Sequence, residues 1–333
     1  MSPAPSGSVL FVLVFAGASV AAFACSSSPS SSAAVDGVTP PRAPLPPVPP
    51  GQGDALDVAP APAAAPAPSG PLADASADAL PDAGVVGTGG KGGLACTRVD
   101  DLGGGRQSCV AKVGSVELKI VAGKSTVATS GVPWRVGLYL HGDGADYHID
   151  NTVLEAMLPW ADAVHGLAVS ALAPNGCAWW LSPSYDCSGA SSPFDAANEN
   201  SAALASAVDA IARAYDLRTD GIRYYSASGG SIFLTYEWIP LHGGSHPGVF
   251  ALMCGGVVSG IPYAWDTNDA ALRARSATWF TYGAEDGLRP QIEQTTAAYL
   301  GKGFSVTSKV IPNQGHCTFD VHAEAMAIWS ANP

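Results

Sequence analysis

Residues 222–238 read IRYYSASGGSIFLTYEW, and the order of residue types in this stretch decides how the rest of the chain is read. Ile222, Tyr224 and Tyr225 suit a strand, Ser226-Ala227-Ser228-Gly229-Gly230 suits a tight turn, and the apolar residues from Ile232 onward suit a helix. A strand, a sharp turn and a helix in that order expose a central serine hydroxyl at the edge of a sheet, in the pattern G-x-S-x-G. Here the pattern is S-x-S-x-G: Ser226 replaces the first glycine with another small residue, and Gly230 matches. The turn is strained, so the residues two before and two after Ser228 must be small enough to let strand and helix approach. It also puts Ser228 at a helix amino terminus, where the Gly229 N–H can face developing negative charge.

A serine hydroxyl is a poor nucleophile until a base takes its proton, so a histidine and an orienting carboxylate are expected downstream. Residues 278–286 read TWFTYGAED, a strand, a glycine and two acids, of which Asp286 is the expected orienter and Glu285 the reserve. Residues 310–320 read VIPNQGHCTFD and place His316 in the loop after the last expected strand. His322 falls inside the final helix and reads as a solvated or packing residue. Upstream, 134–144 (WRVGLYLHGDG) supplies a strand ending in His141-Gly142-Asp143-Gly144, whose Asp143 N–H would join that of Gly229 as an oxyanion hole. His141 and His148, with Asp143 and Asp146, are the competing metal reading of this segment; the expectation is no metal and no cofactor. His242 and His246 share a loop with two glycines and suggest a solvated turn.

Around this constellation, apolar runs alternate with amphipathic ones from Ser115 onward, which predicts an α/β fold with a mostly parallel sheet and helices on both faces. Strands are expected at 115–121, 135–140, 167–172, 222–226, 249–253, 278–282 and 305–311. Helices are expected at 151–164, 196–215, 231–238, 289–300 and 320–330. In the second helix Leu204, Val208, Ile211 and Tyr215 form one apolar stripe.

With His141-Gly142, Ser228-Gly229-Gly230, Asp286 and His316 in this order, the domain resembles the secreted α/β-hydrolases of the polyhydroxybutyrate depolymerase and feruloyl esterase type. The resemblance covers about residues 115–332. It implies the α/β-hydrolase fold and cleavage of carboxylic esters through a Ser228, His316, Asp286 triad and an acyl-enzyme. The expected partner is an ester substrate, polymeric or aromatic, handled by a monomer. Peptide or amide cleavage on the same fold, and a catalytically silent binding module at the cell surface, are the rival readings. Family members usually carry a glycine where Ser226 stands and a fuller aromatic-proline motif than Cys317-Thr318-Phe319 after the histidine. Trp179 and Trp180, in a loop closed by cysteines, read either as packing residues or as a stacking surface for substrate, with Tyr263 and Trp265 as the opposite wall.

The chain has 333 residues, and its amino-terminal third has a different character. Residues 9–24 are an apolar run of 16, short for a bilayer crossing and suited to a signal-peptide core. Ala22-Phe23-Ala24-Cys25 looks like a bacterial lipobox, so residues 1–25 are expected to be a lipoprotein-type signal with Cys25 acylated; a plain cleaved signal or a short anchor are the alternatives. Residues 26–93 hold 14 of the 27 prolines and no Phe, Tyr, Trp, Ile or Met, and read as a disordered tether. That leaves 94–333 as a single hydrolase domain. Its six cysteines suit an oxidising compartment. Short loops favour Cys96 with Cys109 and Cys177 with Cys187, leaving Cys254 with Cys317. With 16 basic against 28 acidic residues and no basic cluster, nucleic acid is excluded as a partner, and membrane contact is expected only through the amino-terminal anchor.

Overall fold

The computed structural model describes residues 93–124, 132–188, 194–218, 220–258 and 270–332, all within the compact unit Gly84–Pro333. Cys25, the expected signal and nearly all of the expected tether lie outside the described residues, as do Tyr263 and Trp265.

Nine strands form one sheet among the described residues: β1 Arg98–Gly103, β2 Arg106–Val113, β3 Val116–Ala122, β4 Arg135–Leu140, β5 Gly166–Leu172, β6 Ile222–Ala227, β7 Gly248–Met253, β8 Ala277–Gly283 and β9 Ser305–Ile311. Their spatial order is β1-β2-β3-β5-β4-β6-β7-β8-β9. From β5 to β9 every neighbouring pair is parallel, whereas β1 to β3 and the β3–β5 pair are antiparallel. The intervening helices are α1 Asp146–Ile149, α2 Thr152–Val164, α3 Glu199–Ala214, α4 Gly229–Phe233, α5 Ile239–His242, α6 Ala270–Arg275, α7 Arg289–Gly301 and α8 Val321–Ala331. This is the α/β-hydrolase fold, and all seven strands expected from sequence are present.

Alternation along the central strands builds two cores, because successive side chains point to opposite faces. Leu138, Leu140, Tyr224, Phe250, Leu252 and Phe280 face the side covered by α3, α4, α5 and α7. Tyr139, Tyr225, Ala251 and Met253 face the side covered by α2 and α8. In α2, Val153, Leu154, Met157, Trp160 and Ala161 supply the inward stripe; in α3, Leu204, Ala207, Val208, Ile211 and Ala212 do so. The fully buried indole of Trp329 packs on Trp160 at 4.8 Å and donates to the Tyr224 carbonyl, fastening α8 to the middle of the sheet.

Three features depart from expectation. The β1–β2 hairpin extends the sheet at the edge ahead of the first expected strand; β1 is half exposed and carries Asp100 and Asp101, so it lacks the apolar signature of a buried strand. The helix expected at 231–238 is instead α4, a π-helical turn over Leu234–Trp238, and α5. Pro240 has no N–H to bond the carbonyl four residues back, so the α-helical ladder is interrupted at this point. Finally, the 242–246 segment is not a solvated turn: the His242 and His246 rings stack against Trp238 at 5.0 and 5.4 Å, and His246 is buried.

The parallel strands all end at one edge. The chain leaves β4 toward β5 on one side and resumes with β6 on the other, so the loops after β4 and β6 flank a topological switch point, where α/β sheets place their sites.

Candidate active site

The elbow after β6 has the strained backbone its sequence implies. Ser228 sits at φ 49°, ψ −118°, outside the ordinary wells for a side-chain-bearing residue, a state that costs about 1–3 kcal/mol and persists only when the surroundings over-determine it. Gly230 shows what holds it: a Cβ there would lie 2.4 Å from the Leu140 carbonyl oxygen and 2.7 Å from that of His141, so only glycine lets the helix sit against the end of β4. The missing first glycine is also explained. Ser226 is fully buried, its Oγ lies 2.9 Å from Ser231 Oγ, and Ser231 donates to the Met253 carbonyl at 3.1 Å. A serine five residues on leaves room for the extra hydroxymethyl and satisfies its polar atom.

Ser228 Oγ lies 2.9 Å from His316 Nε2, and His316 Nδ1 lies 3.0 and 3.1 Å from the two carboxylate oxygens of Asp286. Asp286 is 4% exposed, and its Oδ1 also accepts the Leu288 N–H at 2.8 Å. Donation from Nδ1–H to Asp286 leaves Nε2 unprotonated and able to accept the serine proton. The disulfide Cys254–Cys317 joins the end of β7 to the residue after His316, and Cys96–Cys109 and Cys177–Cys187 are also formed.

Both ring nitrogens of His141 are engaged in hydrogen bonds. The Ala173 N–H donates to its Nε2 at 3.0 Å, and its Nδ1–H donates to the Gly142 carbonyl at 2.6 Å. Burial pushes its pKa down to about 4, so it is neutral and both nitrogens are spoken for. His148 is likewise buried, with Nδ1 2.8 Å from Ser170 Oγ. The bonds of His141 have a geometric consequence. The Gly142 carbonyl is pinned by His141 and by the Ala145 N–H at 3.3 Å, so the Asp143 N–H on the same trans peptide must point the other way. Among the described residues neither the Asp143 N–H nor the Gly229 N–H has a hydrogen-bond partner. The loop carrying Asp143 passes over the elbow: a Cβ on Gly142 would meet Ser228 Cβ at 3.4 Å.

The two tryptophans part company because adjacent residues point to opposite sides. Trp179 is fully buried between His141 and Phe233 and is a core residue, not a substrate contact. Trp180 is partly exposed at the site and donates its indole N–H to Asp143 Oδ1 at 2.8 Å. Asn200 at the start of α3 holds this segment, its amide donating to the Trp179 and Leu181 carbonyls at 2.7 and 2.6 Å. Phe194 and Tyr236 continue an aromatic row from Trp180, with centroid separations of 5.0 and 5.3 Å along it. Sequence reasoning missed Asn200, Phe194 and Tyr236, since nothing local marks them as neighbours of Trp180. His322 turns inward from α8, its Nδ1 2.8 Å from the Tyr225 hydroxyl.

No protein-family model matches this chain, and no characterised protein matches its sequence. Among solved structures, the Bacillus cereus carboxylesterase is 17% identical, with 65% of this chain and 94% of that one covered and a TM-score of 0.49. Esterase PE8 is 16% identical, covering 64% and 96% of the two chains at a TM-score of 0.44. Est1E from Butyrivibrio proteoclasticus is 9% identical, covering 68% and 97% at 0.42.

Proposed function

We propose that this chain is an exported serine hydrolase that cleaves carboxylic esters through an acyl-enzyme, of the polyhydroxybutyrate depolymerase and feruloyl esterase type. The observation that carries the reading is the run of contacts from Ser228 Oγ through His316 to Asp286, built on a strained strand-to-helix turn. In the first step Ser228 Oγ attacks the carbonyl carbon while its proton passes to His316 Nε2. The carbonyl electron pair moves onto oxygen, which the N–H groups of Asp143 and Gly229 receive. Asp286 keeps the imidazole in the required tautomer and stabilises the imidazolium. The tetrahedral species collapses, the C–O bond breaks, and His316 gives its proton to the departing alcohol. Water, deprotonated by the same nitrogen, then attacks the acyl-serine and releases the acid.

Three disulfides support an oxidising compartment. With residues 1–25 as a lipoprotein-type signal and 26–93 as a tether, the domain would act at the cell envelope, anchored through Cys25 and held off the membrane by the tether.

The test is a panel of p-nitrophenyl esters of increasing acyl length, run on the purified domain and on Ser228→Ala. Turnover of short or medium esters, lost in the variant by at least three orders of magnitude, is expected. No turnover of any ester would end the ester-hydrolase reading, and activity surviving in Ser228→Ala would end the assignment of the nucleophile.

A further inference from the structure

The oxyanion donor at position 143 needs only a backbone N–H, which any residue but proline supplies. The residue there is an aspartate, and its carboxylate is in an awkward place. A Cβ built on Gly229 would lie 2.0 Å from Asp143 Oδ1 and 2.8 Å from Trp180 Nε1, so the carboxylate and the indole close over the residue next to the nucleophile. Crowding by the protein pushes the Asp143 pKa up, while the Trp180 hydrogen bond and the charge of His316 pull it down. Among the described residues the Trp180 indole is its one hydrogen-bond donor, and no Lys, Arg or His lies within ion-pair distance. Asp143 is itself exposed, so its carboxylate, unpaired with any cation, is open to a ligand.

The surroundings define what would match it. Trp180, Phe194 and Tyr236 form a row of rings that starts at the carboxylate, and Phe194 is 36% exposed. Ring faces attract cations, and the Trp180 indole, which meets the carboxylate by its N–H edge, brings the two kinds of group side by side. Residues 94–333 carry 14 basic and 22 acidic side chains, so the domain as a whole also favours the approach of positive charge. We propose that Asp143 and the adjoining aromatic row select esters that carry an ammonium group near the scissile carbonyl, a substrate class that rests on the ester-hydrolase reading above. Asp143 thus serves twice: its N–H receives the oxyanion, and its carboxylate, oriented by Trp180, receives the cation.

The selection is measured apart from turnover, on Ser228→Ala, by calorimetric titration with three uncleavable N-methyl amides. These are 4-aminobutyramide (cationic), pentanamide (neutral, of matching shape) and succinamate (anionic). The cationic ligand is expected to bind about tenfold tighter than the neutral one, the scale of one charge-assisted hydrogen bond, and the anionic ligand weaker than either. In Ser228→Ala/Asp143→Asn, which keeps an oxygen to accept from Trp180, the cationic-to-neutral ratio falls to about one. With Asp143 intact the ratio also shrinks as salt is raised. Equal affinities for the three ligands, a ratio unchanged by Asp143→Asn, or a ratio indifferent to salt would each overturn cation selection. Absence of ester turnover in the Ser228 protein bears on the hydrolytic reading alone.

Discussion

Glu237 ties the stability of the fold to pH. It lies in the π-helical turn that follows α4, 1% exposed, where burial drives its pKa up to about 8 and the neighbouring Asp195 adds to the effect. The Ser201 N–H donates to Glu237 Oε1 at 3.1 Å, and the Asn200 N–H to Asp195 Oδ2 at 2.6 Å, so the two carboxyls share the first turn of α3. In the unfolded chain Glu237 ionises near its ordinary value of 4.5; in the folded protein it holds its proton up to about 8. Between those values the unfolded state binds fewer protons, so stability is greatest below 4.5 and is lost as pH rises toward 8. At about 1.4 kcal/mol per pH unit the whole interval corresponds to about 5 kcal/mol. Glu237→Gln keeps the shape and an acceptor for Ser201 and removes the titration. The buried His141 and His148, pushed down to about 4 and about 3, impose the opposite slope below their ordinary value of 6.5. They are common to both proteins and cancel in the difference. Urea unfolding with disulfides intact, at a series of pH values, should show the stability of Glu237→Gln minus that of the wild type climbing by about 1 kcal/mol per unit from pH 5 to 8 and then levelling. A difference flat across that range, or one that falls, would refute the buried neutral carboxyl.

Other consequences are local to the site. Gly229→Ala would drive a methyl against Asp143 Oδ1 and the Trp180 indole N–H and turn both side chains aside; kcat/KM on any ester it cleaves should fall about tenfold. His141→Leu removes the shorter of the two hydrogen bonds on the Gly142 carbonyl and loosens the Asp143 peptide, so kcat should drop about 10²-fold while KM changes little. Ser226→Ala takes away the partner of Ser231, which still reaches Met253, so denaturant midpoints should report a cost of about 1 kcal/mol with the pH profile of turnover unmoved. Replacing Cys254 and Cys317 together by serine opens a link between residues 63 apart in sequence; unfolding should report a loss of about 4 kcal/mol, and kcat should fall as the His316 loop loosens.

The parts of the molecule that sequence made legible are those whose determinants are local. β4 to β8 are largely buried and mostly apolar, β9 is marked by its β-branched residues although it is largely exposed, and the Ser228 turn, the acid after β8 and the histidine after β9 each sit within a few residues of a strand end. What stayed illegible depends on partners far along the chain. β1 is held by pairing with β2 and by Cys96–Cys109, not by burial of its own side chains. The tolerance of serine at 226 depends on Ser231 and Met253. Whether Trp179 or Trp180 faces the site is set by Asn200, which fixes the carbonyls on either side, and that residue lies 20 positions on from Trp180. The side chain of Asp143 acquires its role only because α4 begins with glycine beneath it.

Three residues with positive φ lie along the path from Ser228 to one disulfide. Ser228, Cys254 and Cys317 all have positive φ, at 49°, 52° and 52°, a region that side-chain-bearing residues avoid. The first two are joined through the sheet: the Ser228 N–H donates to the Met253 carbonyl, and the Cys254 N–H to that of Thr281, each at 2.9 Å. The third is joined to the second by a covalent bond. The Ser228 turn is therefore linked by a chain of contacts to the residue that follows His316. If the disulfide were only a general brace, it could close any long loop. Its place between the end of β7 and the histidine loop ties the distance from Ser228 Oγ to His316 Nε2 to the register of the sheet.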